Sequence, residues 1–348
     1  MVVLLGIFLH LLGGFASGSF YIPYKKVKGW AWESYWLMGG FFSWLLAPWI
    51  VALITIPGLL TILCSADFSV LFWTYFMGVL WGIGGLTFGL TMRYLGMSLG
   101  MAIALGFCSL FGTIIPPVYN GTFTLLFYST SGLITLSGVL VCFIGIMICG
   151  RAGIQKEKEM TEDQKKENVK EFNFGKGLTV AVFSGILSSC MAFGIAAGKP
   201  LAEMAVKLQV NPLWQNSPVL VVVLAGGLTT NLIWCVFLNY KNRSGKDYVN
   251  QNTPLLKNYI FSALAGITWY LQFMFYGMGT TKMGKYDFSS WTLHMAFIIV
   301  FSSMWGLILK EWKGSGRRTM LTIAIGIFVV IISTVLIGAG SYLVGKGE

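Results

Sequence analysis

The sequence predicts an all-α integral membrane protein, with ten transmembrane helices arranged as two inverted five-helix repeats. Composition, the length of the apolar runs and the position of one charged stretch predict it. The 348 residues are 56% hydrophobic and only 11% charged, with a mean hydropathy of +0.74. A soluble domain carries roughly a quarter charged residues. Apolar runs of about 20 residues cross a bilayer as helices, whereas a membrane barrel shows short alternating segments.

Ten such runs follow in order. Residues 2–24 end at the basic turn Lys25–Lys28, and 31–56 follow it. Residues 69–92 end at Arg93, then come 97–117, and 132–150 stop at Arg151. Arg151–Gly175 is the single long polar stretch, dense in Lys and Glu, and reads as a partly helical linker. Beyond it lie 177–198, closed by Lys199-Pro200, then 217–239, 258–279, 288–309 and 319–344. The chain thus divides into 1–150, a linker 151–175 and 176–348. Five helices is an odd number, so equal halves sit in opposite orientations, as in many secondary transporters. Gly82-Ile83-Gly84 and Gly266-Ile267-Thr268 open similar stretches in the two halves, each followed by an aromatic–glycine segment.

The net charge of +11 suggests nucleic acid until the charges are placed. Alternating the loops puts 19 of the 24 Lys and Arg on one side and leaves Lys199, Lys207, Lys282, Lys285 and Lys346 on the other. The positive-inside rule makes the first side cytoplasmic and both termini periplasmic. Basicity therefore reads as topology, and no nucleic-acid partner is implied. Ala16-Ser17-Gly18 resembles a signal cleavage site, but no basic residue precedes the apolar run and the run continues past it, so no cleavage is expected. The six cysteines show no metal-ligand spacing, and no disulfide framework follows. Small residues recur at helical spacing at Gly78, Gly82, Gly85 and Gly89, and again at Gly185, Ser189, Ala192 and Ala196. Such stripes let helix backbones approach closely.

Ionisable groups at membrane depth mark proton or ion paths. Glu33 lies in Trp30-Ala31-Trp32-Glu33-Ser34-Tyr35-Trp36, and Asp287 in Tyr286-Asp287-Phe288-Ser289-Ser290-Trp291. His10 shares a helix face with Gly14, Ser17, Tyr21 and Tyr24, which reads either as a cavity wall or as a histidine bonded between helices. Asp287, Trp291 and His294 follow at steps of four and three, a row suited to a sugar and a proton; Asp287 reads alternatively as a helix cap. Trp269, Gln272 and Tyr276 form a third row, whose glutamine wants a partner on substrate or on another helix. Glu33 reads as a proton site or as a helix-end charge paired with Lys25–Lys28. Trp32 and Trp36 read as interfacial anchors. Asn231 and Arg93 are weaker candidates. No phosphate loop, zinc pattern or nucleophile triad is present, so neither enzyme chemistry nor a cofactor is expected.

Several strings resemble the bacterial L-rhamnose–proton symporter family: Phe20-Tyr21-Ile22-Pro23-Tyr24-Lys25-Lys26-Val27-Lys28 with Trp32-Glu33, Trp81-Gly82-Ile83-Gly84 and Gly89-Leu90-Thr91-Met92-Arg93-Tyr94-Leu95-Gly96-Met97-Ser98. Trp269-Tyr270-Leu271-Gln272-Phe273, Leu293-His294-Met295 and Gly306-Leu307-Ile308-Leu309-Lys310-Glu311-Trp312 extend the likeness. The resemblance implies the drug/metabolite transporter superfamily, a five-plus-five inverted repeat, and uptake of L-rhamnose with protons. The resulting expectation is a symporter of the bacterial inner membrane, working by alternating access on L-rhamnose or a close deoxy sugar. Its partners are that sugar, protons and lipid, with no obligate protein partner. Proton coupling is assigned to Glu33, Asp287, His10 and His294, and sugar contact to Tyr21, Trp81, Trp269, Gln272, Trp291 and Asn231. An uncoupled facilitator or exporter, and a non-transporting sugar sensor, are the alternatives.

Overall fold

The computed structural model describes all residues except 1, 96, 120, 122, 160–172, 285–288, 310–311, 313 and 345–348. Among the described residues every regular element is a helix. The first half contains α1 (Val2–Ser19), α2 (Tyr21–Tyr24), α3 (Trp32–Gly40), a π-helical turn (Phe41–Leu46), α4 (Ala47–Thr55), α5 (Leu59–Ser65), α6 (Phe68–Leu95), α7 (Met97–Tyr119) and α8 (Thr130–Glu159). The second contains α9 (Phe174–Ala197), α10 (Lys199–Lys207), α11 (Ser217–Lys241), α12 (Leu255–Thr280), α13 (Ser289–Ile308) and α14 (Arg317–Val344). Among the described residues, seven stretches are long and apolar enough to cross a membrane: Val2–Tyr24, Trp32–Thr55, Phe68–Thr91, Thr130–Lys156, Gly175–Lys207, Pro212–Lys241 and Arg317–Gly340. Their outward faces carry exposed Leu, Ile, Phe and Trp, as at Leu232, Ile233, Trp234, Val236 and Phe237 of α11. This is the surface of a multi-pass membrane protein.

Two details depart from uniform helices. Pro48 has no N–H and its ring crowds the carbonyl four residues back. The helix widens into the π turn Phe41–Leu46 just before it, and the Ala47 N–H reaches Phe42 rather than the ordinary partner. The linker begins as helix, since α8 runs on through Arg151 to Glu159. There the Glu159 carboxylate accepts from the Gly316 N–H at 2.7 Å and the Thr319 hydroxyl at 2.7 Å, tying the end of α8 to the start of α14. Lys156 lies 4.8 Å from the Trp312 ring centre.

Packing brings α8 against α14, α6 against α9 and α11, α7 against α9, and α1 against α12 and α13. The segment α3–α4 lies against α11 and α12. Glycine makes the tightest crossings possible. A methyl group on Gly39 would meet the Tyr24 hydroxyl, and one on Gly266 would meet the Gly39 backbone, so α3 and α12 cross backbone to backbone. Gly78 and Gly82 of α6 lie against Val223 and Thr230 of α11, whereas Gly85 and Gly89 have nothing within 4 Å of an added Cβ. Half of that stripe is therefore a helix contact and half is not.

Candidate functional site

The main core cluster is rich in aromatic residues and gathers side chains from α2, α3, the π turn, α6, α7, α9, α11, α12 and α13. Trp269 is its hub. Its ring lies 4.6 Å from Phe20, 5.0 Å from Trp36, 5.2 Å from Trp44 and 6.4 Å from Trp81, centre to centre. Trp81 meets Phe273 edge-on at 5.3 Å. Tyr21 and Tyr24 flank Trp36 at 6.2 and 6.1 Å. Trp36 donates its indole N–H to the Asn231 side-chain oxygen at 3.0 Å, and Asn231 donates in turn to the Gly227 carbonyl at 2.9 Å. Four of the expected sugar contacts thus meet in one place: Tyr21, Trp81 and Trp269 directly, and Asn231 through Trp36. Trp36 is 6% exposed, so it is a member of this cluster rather than the interfacial anchor expected of it.

Two turns beyond Trp269 along α12, Tyr276 enters a second group. Its ring lies 5.5 Å from His10, 5.2 Å from His294 and 5.4 Å from Trp291. The two imidazoles are 6.2 Å apart. Close packing places them: a methyl on Gly279 would strike the His10 ring, and one on Gly13 the His294 ring. Trp291 donates to the Cys108 carbonyl at 3.0 Å. His10 and His294 are fully buried, yet His10 Nδ1 and Nε2 and His294 Nδ1 have no hydrogen-bond partner among the described residues. An orphaned buried polar group costs about 1–3 kcal/mol. Gln272, between the two groups along α12, is 5% exposed.

Glu33 lies apart, at the start of α3. It is 4% exposed, and one carboxylate oxygen accepts from the Ser244 hydroxyl at 2.6 Å and the Asn242 amide at 2.9 Å. Beside it, Asp247 accepts from the Ala31 N–H at 2.7 Å and the Ser34 hydroxyl at 2.8 Å. The Asn239 side-chain oxygen shares the same two hydroxyls at longer range, 3.2 Å from Ser34 and 3.1 Å from Ser244, and Asn258 makes two bonds with the Lys28 backbone, at 3.0 and 2.8 Å. Hydroxyl and amide donors thus hold the Glu33 carboxylate. Asp287 lies outside the described residues, as do Tyr286 and the pair Lys310-Glu311.

Sequence reasoning missed Asp247, Asn239 and Asn258, which stand in a polar stretch that reads as an ordinary loop. Trp44 was missed as well, although Pro48 four residues on is a signal that the helix must distort there.

The comparisons with known proteins cover nearly the whole chain. The profile of the L-rhamnose-proton symport protein family matches residues 1–342. The chain belongs to that family. Relatives named L-rhamnose-proton symporter include those of Citrobacter koseri, 41% identical over 342 residues, and of Enterobacter sp. strain 638, 42% identical over the same length. The one from Shigella dysenteriae is 40% identical. In each case the match covers 97% of this chain and 98% of the relative. A family of symporters moves its substrates and does not transform them, which agrees with the absence of catalytic motifs in the sequence.

Proposed function

We propose that this protein imports L-rhamnose, or a closely related deoxy sugar, together with protons across the bacterial inner membrane by alternating access. The carrying observation is the full-length likeness to L-rhamnose-proton symporters. The aromatic cluster is its chemical counterpart, because the C–H faces of a pyranose pack on flat rings and a deoxy sugar adds a methyl group. Sugar contact is assigned to Tyr21, Trp81, Trp269, Gln272, Trp291 and Asn231; Asn231 also holds the Trp36 ring, and Trp291 is itself anchored on the Cys108 carbonyl.

The architecture proposed is ten spans in two inverted five-helix repeats, 1–150 and 176–348, joined by the linker 151–175. Its support is a packing pattern that survives exchange of the halves. The exchange takes α1 to α9, the segment α3–α4 to α11, α6 to α12, α7 to α13 and α8 to α14. The contact α6–α9 then becomes α12–α1, α7–α9 becomes α13–α1, and α6–α11 becomes α12 with α3–α4; α8–α14 maps on itself. The aromatic cluster draws on the second and third long helices of both halves, where a rocking motion would expose it to either side. The excess of basic loops puts the Glu33 end in the cytoplasm and both termini in the periplasm.

Proton coupling is assigned to His10 and His294 with Asp287 toward the outside and Glu33 toward the inside. A charge on the buried histidine pair needs water or a counter-charge, so protonation favours a conformation that supplies one. If sugar favours the same conformation, each raises the affinity for the other.

Reconstitution in vesicles tests the reading. Added L-rhamnose should alkalinise the outside medium and accumulate inside, and a protonophore should abolish both. Uptake without a pH change would instead indicate a facilitator, and binding without uptake a sensor. Running L-rhamnose beside L-fucose and L-lyxose sets the substrate range.

A further inference from the structure

Indole and phenol groups at depth in this protein fall into two sets among the described residues, those with a hydrogen-bond partner and those without. Trp36 donates to Asn231, Trp291 to the Cys108 carbonyl and Trp305 to Ser19, at 3.0, 3.0 and 2.9 Å. The second set holds Tyr24, Trp44 and Tyr270 of the aromatic cluster and Trp30 outside it, and of these Tyr24 and Trp44 stand against the rings of the proposed sugar face. The Trp44 indole N–H and the Tyr24 hydroxyl are buried, with the residues 1% and 4% exposed, and neither has a hydrogen-bond partner among the described residues. The Ser43 hydroxyl, next to Trp44 on the π turn, is in the same position at 0% exposure. Tyr24 and Trp44 stand on Trp36 at 6.1 and 6.2 Å, and Trp44 also meets Trp81 and Trp269 at 6.2 and 5.2 Å. The orphaned groups therefore border the rings assigned to the sugar face.

We infer that Tyr24 and Trp44, with Ser43 beside them, are the hydroxyl-binding groups of the sugar site, recognising a deoxypyranose by its ring hydroxyls. This rests on the transport reading above and adds polar partners to it. An indole N–H donates only, whereas a phenol and a serine hydroxyl can donate and accept, which matches the mixed demand of vicinal sugar hydroxyls. The rings pack on one another in this conformation, so sugar enters when they part. The local backbone is suited to that: Trp44 sits in a π-helical turn, a geometry often found at functional sites, and the Gly40 hydrogens face its ring. Gly39 has no side chain under the Tyr24 hydroxyl, where a methyl would strike it.

The test is calorimetric binding to the purified full-length protein, using L-rhamnose and its monodeoxy analogues. Wild type is compared with Tyr24→Phe and Trp44→Phe, and Ser43→Ala serves as a smaller change if Trp44→Phe elutes aggregated. Each variant should bind L-rhamnose about tenfold more weakly, the size of one lost hydrogen bond. For each, one analogue should bind wild type and variant equally, because it lacks the hydroxyl that the deleted group would have bonded. Wild-type affinity for L-rhamnose in both ring variants overturns the assignment, as does an equal loss for every analogue, which marks a packing defect. A wild-type protein that binds none of these sugars overturns the transport reading itself, and this assignment with it.

Discussion

The start of α3 and the centre of the bundle both bury polar groups, but they treat them in opposite ways. Around Glu33 and Asp247, hydroxyl, amide and backbone donors converge on the two carboxylates at 2.6 to 2.9 Å. Around Trp269 and Tyr276, both His10 nitrogens, His294 Nδ1, the Tyr24 and Tyr270 hydroxyls, the Trp44 indole N–H and the Ser43 hydroxyl are buried with no hydrogen-bond partner among the described residues. A satisfied network is stable as it stands and fixes one arrangement of the helix ends. An unsatisfied one is a standing cost in this conformation, relieved only in another state or by a ligand. The contrast separates a satisfied region at the helix ends from the region to which sugar and proton are assigned in the proposal above.

The sharpest way to break the comparison is to remove the imidazoles. His10→Asn and His294→Asn keep a polar side chain but lose the proton site. Accumulation of L-rhamnose against a gradient should fall roughly tenfold or more, the range of ordinary coupling energies. Counterflow exchange of sugar, which needs no net proton movement, should persist. If both variants concentrate sugar like wild type, the histidine pair is not the coupling site.

At the other region the effects should fall on stability first. Asp247→Ala strands the Ala31 N–H, leaves the Ser34 hydroxyl to its longer bond with Asn239, and should lower unfolding stability by about 1–3 kcal/mol. Glu33→Gln keeps one carbonyl oxygen for Ser244 or Asn242, so about 1 kcal/mol is expected. Thermal melts in detergent measure both. The same Glu33→Gln protein in vesicles should lose accumulation only severalfold, less than the histidine variants, as suits an inner station off the central path. A loss as large as theirs would move the coupling site to the helix end.

The spans were legible because bilayer crossing needs long apolar runs, and each of the seven long apolar stretches falls on a run read from sequence. The interruptions were less so. The π turn depends on how one proline's missing N–H is absorbed several residues earlier, and the short helices α5 and α10 fall below the length that hydropathy detects. In the site, the row Trp291–His294 was visible from spacing, and His10 from its rarity. Trp36 was not, because tryptophan near a helix end ordinarily marks an interface, and its bond to Asn231 spans 195 residues of sequence. Asp247 stayed hidden for the same reason, since its partner Ser34 is 213 residues away and the loop around it looks solvated.

The smallest expected effect lies outside the membrane, and it tests whether every satisfied carboxylate matters. Glu159 is an exposed residue whose hydrogen bond from the Thr319 hydroxyl, with that from the Gly316 N–H, holds its carboxyl below the usual carboxylate range. A folded-state value below the unfolded one stabilises at neutral pH, and that contribution is lost only as pH falls through the folded value in the acid range. Solvent screens the interaction, so Glu159→Gln should leave melting at neutral pH and L-rhamnose uptake close to wild type. The melting difference between variant and wild type, if any, should shrink as pH drops below the ordinary carboxylate range. A large uptake defect in Glu159→Gln would instead make the α8–α14 tie part of the moving machinery, because these two helices then could not be treated as a static pair while the centre opens.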